Sequence, residues 1–466
     1  MNNRFATGAL NRQNSNNEIS YWNALNLVQS HITTTAPNLF DGDAATESLA
    51  VQKQKKDKLR NMLSRFISSN NIRVEGYTKD KTDTLRLIED LYNDMAEYSI
   101  LTDYIRDPEN NIEEINVNAW NDIQVIYSDG SVKKVRHFCN QEHAENTMKR
   151  IANAAGALID EAMPMAEASI SNNTRIVVLN EPIVDEDVGV ACSIRLLKPQ
   201  FSNRDFFIQN GTVTDEEMTF LELAIRTGVS MVFVGATSSG KTTLMNYLLS
   251  TIPDSKRIVT IEHNARELSL VKKDKDGNIV NNVVHTQTRP HEKEDLDISQ
   301  EDLVVKALRL DPSIICVGEM RDSEAYAAQE ASLTGHTVVT SLHADGVSRT
   351  HYRIAMLALK KYDMDINVEL IQAAMAFPVI VYLSKLEDNS RHVMQISECV
   401  IKEENHTMER EYHTLYECVV KKNTVVDGKA KIETEHRKGD LISSDLWKTM
   451  MINGASEEDF ASIGVK

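Results

Sequence analysis

Several features that would settle a protein's class are missing from this sequence. Its longest apolar run, Ala373 to Leu383, has 11 residues with Pro378 inside it, too short to cross a bilayer. The opening MNNRFATGALNRQNSNNE has no apolar stretch of signal-peptide type, so no export leader is expected there. Cysteines are few and scattered (Cys139, Cys192, Cys316, Cys399 and Cys418), with no CxxC. A zinc site built from paired thiolates and a disulfide framework are therefore excluded as expectations, and five reduced thiols in a cytoplasmic protein remain. Positive charge is also short: 51 Lys and Arg stand against 69 Asp and Glu, a net −18. Coating nucleic acid requires a basic footprint, so the balance argues against that role while leaving room for a local basic pore. Aromatics are only 6%, yet 41% of the 466 residues are apolar, enough to build cores and too many for a disordered chain. At about 150 residues per domain, the length suggests roughly three domains.

The chain reads as four stretches. Residues 1–84 are expected to form a mobile polar leader, rich in Asn, Ser and Thr up to about residue 50, then a basic helical run with Lys53, Lys55, Lys56, Lys58 and Arg60. A solvated helix face is the plain reading of that run; attraction to anionic lipid or an acidic partner is the weaker one. Residues 85–205 read as an α+β domain. Leu85, Leu87, Ile88, Leu91 and Tyr92 suit one helix face, Ile115–Val117 and Ile123–Tyr127 are strands joined to a Ser128–Ser131 turn, and Ala144–Ala157 is a helix. Arg175–Leu179 and Val190–Leu196 are further strands. Residues 206–401 alternate strand and helix: Thr214 opens a capping box, and Val229–Val234, Arg257–Ile261, Ser313–Val317 and Thr337–Leu342 are short buried strands between helices. That order predicts a parallel sheet covered on both faces, with ligands beyond the carboxyl ends of the strands. Residues 402–466 form a C-terminal extension of no assigned role.

The chemistry gathers in the third stretch. Gly235-Ala236-Thr237-Ser238-Ser239-Gly240-Lys241-Thr242 fits G-x-x-x-x-G-K-[ST] between a strand and a helix, with Thr243 following. Its backbone N–H groups and the helix N-terminus suit phosphate, Lys241 the β- and γ-phosphates, and the Thr242 hydroxyl Mg²⁺. Glu262 ends the next strand, with Glu267 five residues on, and Glu319 follows the apolar Ile314–Val317 and Gly318. A carboxylate at such a strand end orients the metal or activates the attacking water, although strand-end acids also cap helices. His336 and His343 bracket the Thr337–Leu342 strand. Six arginines (Arg175, Arg195, Arg289, Arg321, Arg349 and Arg353) are candidates to stabilise transferring phosphate.

The order of GATSSGKTT (235–243), RIVTIE (257–262), IICVGEMR (314–321) and TGHTVVTSLHA (334–344) resembles the type II/type IV secretion ATPases, especially their CpaF-like branch. There these stretches are called the Walker A motif, Asp box, Walker B motif and His box. IEEINVNA (112–119), LIDEAMP (158–164), NTRIVV (173–178) and SIR (193–195) resemble segments of the family's N-terminal domain, so the likeness covers about residues 85–401. There are departures. The Asp box reads Glu262-His263 with one extra residue before Glu267, Lys272–Asn282 looks like an inserted hairpin turn, and Glu167 and Ser169 stand where the family commonly has Asp and Arg.

The resemblance implies a RecA-like P-loop motor domain behind a smaller PAS-like α+β domain. It implies an Mg²⁺-dependent ATPase in a homohexameric ring, with nucleotide held between the two domains of a subunit. Such a ring would work against an integral membrane platform protein at the inner face of the cytoplasmic membrane, without inserting in the bilayer, in pilus assembly, protein secretion or conjugation. Glu319 would polarise the attacking water, Lys241 and Mg²⁺ would neutralise phosphate charge, and Thr242 and Glu262 would hold the metal, partly through water. His343 would sense the γ-phosphate, and Arg195 would face the nucleotide. Two alternatives remain: a nucleotide-gated scaffold with little turnover, motivated by the unusual Asp box, and a DNA-translocating motor, which the net charge opposes.

Overall fold

The computed structural model describes residues 18–37, 49–77, 80–106, 111–171, 174–196, 202–263, 266–289, 296–404, 407–426 and 429–465. It divides into two compact units at Leu196/Leu197.

The first unit opens with α1 (Tyr21–Thr35), α2 (Leu49–Ser69), α3 (Lys81–Ala96) and the short α4 (Thr102–Ile105). Then come β1 (Ile112–Ala119), β2 (Asp122–Tyr127), β3 (Val132–Lys134), α5 (Gln141–Ala154), β4 (Met165–Ser171), β5 (Thr174–Asn180) and β6 (Val190–Leu196). The six strands form one antiparallel sheet in the order β3-β2-β1-β6-β5-β4.

Where a mobile leader is expected, the structure has a helix. Ser20 caps α1 by accepting from the Asn23 N–H, and Tyr21, Ala24, Leu25, Val28 and Ile32 are its buried face. That is helical spacing, diluted by the Asn, Ser and Thr around it. The rest of the leader expectation, residues 1–17 and 38–48, lies outside the described residues. Two cations of the basic run on α2 are paired within the unit: Arg60 makes a two-pronged bond to Glu89 at 2.6 and 2.8 Å, and Lys56 reaches Glu97 at 2.9 Å. On α3, Leu87, Ile88, Leu91 and Tyr92 are buried as expected, whereas Leu85 faces outward.

The second unit holds α6 (Arg204–Gln209), α7 (Asp215–Arg226), β7 (Met231–Val234), α8 (Lys241–Ser250), β8 (Ile258–Glu262), β9 (Val283–Gln287), α9 (Gln300–Ala307), β10 (Ile314–Val317), α10 (Glu324–Leu333) and β11 (Thr337–Leu342). It continues through α11 (Val347–Ala358), α12 (Ile366–Ala376), β12 (Val379–Lys385), β13 (Arg391–Glu404), β14 (Thr407–Val426), β15 (Lys429–Lys438), α13 (Ser444–Ile452) and α14 (Glu457–Ser462). The expected capping box at Thr214 forms, and Ser299 makes a second one. All nine strands make one sheet, β15-β14-β13-β12-β7-β11-β10-β8-β9, parallel from β12 to β9 and antiparallel beyond. This is the RecA-like P-loop arrangement. Successive residues of each central strand enter opposite cores: Met231 and Phe233 one, Val232 and Val234 the other. That is why β7 and β10 read as unbroken apolar runs.

The structure does not separate residues 402–466 from the P-loop fold. β13 runs across the expected 401/402 division, and Leu415, Tyr416, Leu446, Met450 and Phe460 fill the same core as Phe233 and Leu248. The charged outward positions of these strands mask that contribution in the sequence. The inserted turn is present, with Lys273 bridging Ile279 around Gly277.

Candidate phosphate-binding site

Register alone gathers the site. Val317 pairs with Ile261 and with Thr340, and Leu342 pairs with Val234. The residues just past or at those strand ends, Gly235, Glu262, Glu319 and His343, therefore lie along one sheet edge, where an open parallel sheet binds its ligands.

The loop from Gly235 to Gly240 is shaped for close backbone approach. A Cβ on Gly235 would lie 2.1 Å from the Leu383 carbonyl oxygen, so no other residue fits. Ala236, Thr237 and Ser238 are exposed, and Ser238 takes a positive φ of 61°. Gly240, also at positive φ, is the N-cap of α8. The Ser239 hydroxyl is buried with no hydrogen-bond partner, an orphan that a phosphate oxygen would satisfy. Lys241 is buried, and its Nζ donates to the carbonyls of Gly235 and Ala236, both at 2.9 Å. The ammonium thus lies across the mouth of the loop. Thr242 and Thr243 are half-buried in the first turn of α8.

Opposite the loop stands a linked set of acids and bases. Glu319 Oε1 is 3.1 Å from His343 Nε2, and its Oε2 is 2.5 Å from Arg321 Nη2. Burial alone would raise the Glu319 carboxyl; the Arg321 guanidinium, with His343 and Lys241, more than offsets it and holds it below its ordinary value. His343 Nδ1 lies 3.0 Å from the Gly235 carbonyl. Both partners of this ring are acceptors, so only an imidazolium satisfies the two at once, and a neutral ring must choose. The ring therefore joins the phosphate loop to the strand-end carboxylate.

Glu262 is buried. Its Oε1 accepts the N–H of Glu267 at 2.7 Å and of Leu268 at 2.9 Å, whereas Oε2 has no hydrogen-bond partner and its closest histidine nitrogen, His285 Nδ1, is 3.8 Å away. One oxygen thus ties down the turn after β8, and the other is left for a metal or its water. That turn delivers Glu267, whose Oε2 accepts from the Thr242 hydroxyl at 3.4 Å. Gly318 matters here too, since a Cβ on it would lie 3.3 Å from Glu262 Cγ. Thr242 Oγ, the Glu267 carboxylate and Glu262 Oε2 are hard oxygen donors of the kind Mg²⁺ takes.

The other expected residues divide. His336 lies at the opposite end of β11 from His343 and takes no part. Arg289 bonds the Leu296 carbonyl at 2.8 Å, Arg349 pairs with Asp345, and Arg353 is exposed. Arg175 and Arg195 pair across β5 and β6 of the first unit, where Arg175 also meets Glu167. Sequence reasoning missed Arg391, whose Nε donates to the Ser238 carbonyl at 2.9 Å. No spacing rule could have found a contact spanning 153 positions.

A family model described as "Type II/IV secretion system protein" matches residues 97–450. The chain belongs to that family. The match runs past residue 401, where the motif resemblance ends. Over 142 residues the chain is 38% identical to the type IV secretion system protein PtlH of Bordetella pertussis, covering 30% of this chain and 38% of that protein. Over 270 residues it is 26% identical to VirB11 of Brucella suis, covering 51% and 72%. The chain spans about a third of the length of the first relatives it matches, 31% and 38%. Among solved structures it is similar to the Legionella pneumophila ATPase DotB at 18% identity and a TM-score of 0.45, covering 79% of this chain and 85% of that one.

Proposed function

We propose that this chain hydrolyses ATP as one subunit of a ring motor serving a secretion, pilus or conjugation machine at the cytoplasmic face of the membrane. The carrying observation is the convergence of Lys241, Glu319, His343 and the Gly235–Gly240 loop on one sheet edge. Family membership and relatives named as type IV secretion proteins support the setting.

The loop N–H groups and α8 take the phosphates, and Lys241 exchanges its bonds to loop carbonyls for phosphate oxygens. Glu319, held ionised by Arg321, accepts the proton of the attacking water. His343 couples the state of the phosphate loop to that carboxylate. Thr242, Glu267 and Glu262 would hold Mg²⁺, which supplies charge neutralisation on the phosphates when bound. Arg195 would face the nucleotide, and an integral membrane protein would be the partner against which the ring works. Among the described residues no helix is long and apolar enough to cross a membrane.

The test is steady-state ATP hydrolysis by the full chain, with and without Mg²⁺ and with and without DNA. The expected result is Mg²⁺-dependent turnover indifferent to DNA. Tight nucleotide binding without turnover would leave a nucleotide-gated scaffold, and strong stimulation by DNA would favour a translocating motor.

A further inference from the structure

We propose that His392, Cys418 and His436 form a binding site for a divalent transition-metal ion of the Zn²⁺ class. The three side chains come from β13, β14 and β15, and Cys418 and His436 are direct cross-strand partners. One ligand atom from each lies within 4.8 Å of the others. Around a tetrahedral Zn²⁺, bond lengths of about 2.0–2.3 Å put ligand atoms about 3.3–3.7 Å apart. Closing the difference takes shifts of about an ångström in side chains that already converge. The sequence offers no hint of it, because metal motifs are read from close spacing, and these ligands are 26 and 18 positions apart along a β-meander.

The hydrogen bonds around the cluster orient both imidazole rings. His392 Nδ1 is 2.7 Å from the Gly211 carbonyl, so that nitrogen carries the proton and Nε2 the lone pair. His436 Nδ1 is 2.9 Å from the Glu217 carboxylate, which fixes its proton in the same way. Its Nε2 then faces the Gly211 carbonyl at 3.2 Å, an oxygen with no proton to give. An imidazolium donating to both oxygens meets this geometry in the metal-free protein, and a bound ion would displace its Nε2 proton. A carboxylate holding the far nitrogen of a histidine is also how metal-ligating imidazoles are oriented. Imidazole and thiolate select Zn²⁺-like ions over Mg²⁺ and Ca²⁺, so this site would not compete for the metal of the phosphate loop. His392 and Cys418 are buried and His436 is partly exposed, so an ion would enter past His436.

The place matters for the motor. Arg391, next to His392, holds the Ser238 carbonyl, and Ser390 Oγ is 3.0 Å from His392 Nε2. Glu217 belongs to the capping box of α7. A bound ion would therefore clamp the C-terminal strands to the start of α7 and fix the strand that touches the phosphate loop.

The test uses the full chain carrying Cys139→Ser, which removes the exposed thiol, stripped with chelator and free of nucleotide. Co²⁺ is titrated by optical absorption, then displaced with Zn²⁺. The expected result is one ion per chain with a sulfur-to-cobalt charge-transfer band, lost in Cys418→Ser and His436→Gln. Glu217→Gln should weaken binding about 10–100-fold. Binding below one ion per chain, a spectrum without the sulfur band, or a band unchanged in a folded Cys418→Ser would overturn the site. Should the variants fail to fold by circular dichroism, the sulfur band and stoichiometry of the parent chain decide it, since the remaining thiols Cys192, Cys316 and Cys399 are buried without a histidine partner among their described hydrogen bonds.

Discussion

Two clusters in this molecule are built from the same residue types and have different uses. In the first unit, Asp94, His143, Ser99 and Tyr21 are buried and bond almost entirely to one another. Asp94 Oδ1 accepts from His143 Nε2 at 2.8 Å and from Ser99, Oδ2 accepts from Tyr21, and His143 Nδ1 lies 3.3 Å from the Cys139 backbone nitrogen. In the second unit, Glu319 and His343 are partly open to solvent, and beside them Ser239 and Glu262 each keep a polar atom without a hydrogen-bond partner. Both clusters pair an acid with a histidine. The first resembles a nucleophile triad in composition only, because Ser99 and Asp94 approach the same nitrogen, Nε2. A satisfied network holds a fold together, whereas spare polar capacity at a strand edge binds something.

The largest expected effect sharpens the functional half. An arginine supplied in trans is typically worth about 10³–10⁵ in rate. ATPase rate per subunit should therefore rise with protein concentration as rings form, followed by light scattering. A constant rate down to demonstrably monomeric samples would show a complete site in each chain. Next comes Lys241→Ala, which removes charge-assisted bonds to phosphate worth about 1.5–3 kcal/mol, so ATP affinity measured by calorimetry should fall about 10–150-fold. Equal affinity would break the phosphate-loop assignment.

The smallest effect falls on the structural half. Burial would lower the pKa of His143, but its bond to Asp94 pushes it up to about 9. A group raised on folding contributes stability that is fully present below its unfolded value, about 6.5, and is lost as pH rises through about 9. Melting temperature should therefore decline between those values in the parent chain and decline less in His143→Gln. Identical pH profiles would show that the network adds nothing through His143.

How much of this was legible in the sequence depends on the range of each interaction. The phosphate loop, the strand-end acids and both capping boxes are local patterns, in which each strand and the turn after it carry their own signal. Strand order brought Glu319 and His343 to one edge, as alternation of strand and helix had implied. The α1 face was legible in principle, yet Ala24, Leu25 and Val28 sit among polar neighbours that blur the period. Arg391 on Ser238, and Glu262 holding the turn that presents Glu267, depend on where distant or inserted segments come to rest. The C-terminal strands hid their core residues because Leu415, Tyr416 and Cys418 sit among polar and charged neighbours on long, half-exposed ribbons.

The most direct measurement sets the two acid–histidine clusters side by side: ATP binding and single-turnover hydrolysis in Glu319→Gln and in His143→Gln. Glu319→Gln should bind ATP at close to parental affinity and hydrolyse it about 10²–10⁴ times more slowly. His143→Gln, once folded, should hydrolyse at the parental rate. Parental turnover in Glu319→Gln would contradict the account, because the carboxylate set between Arg321 and His343 would then have no part in the chemistry.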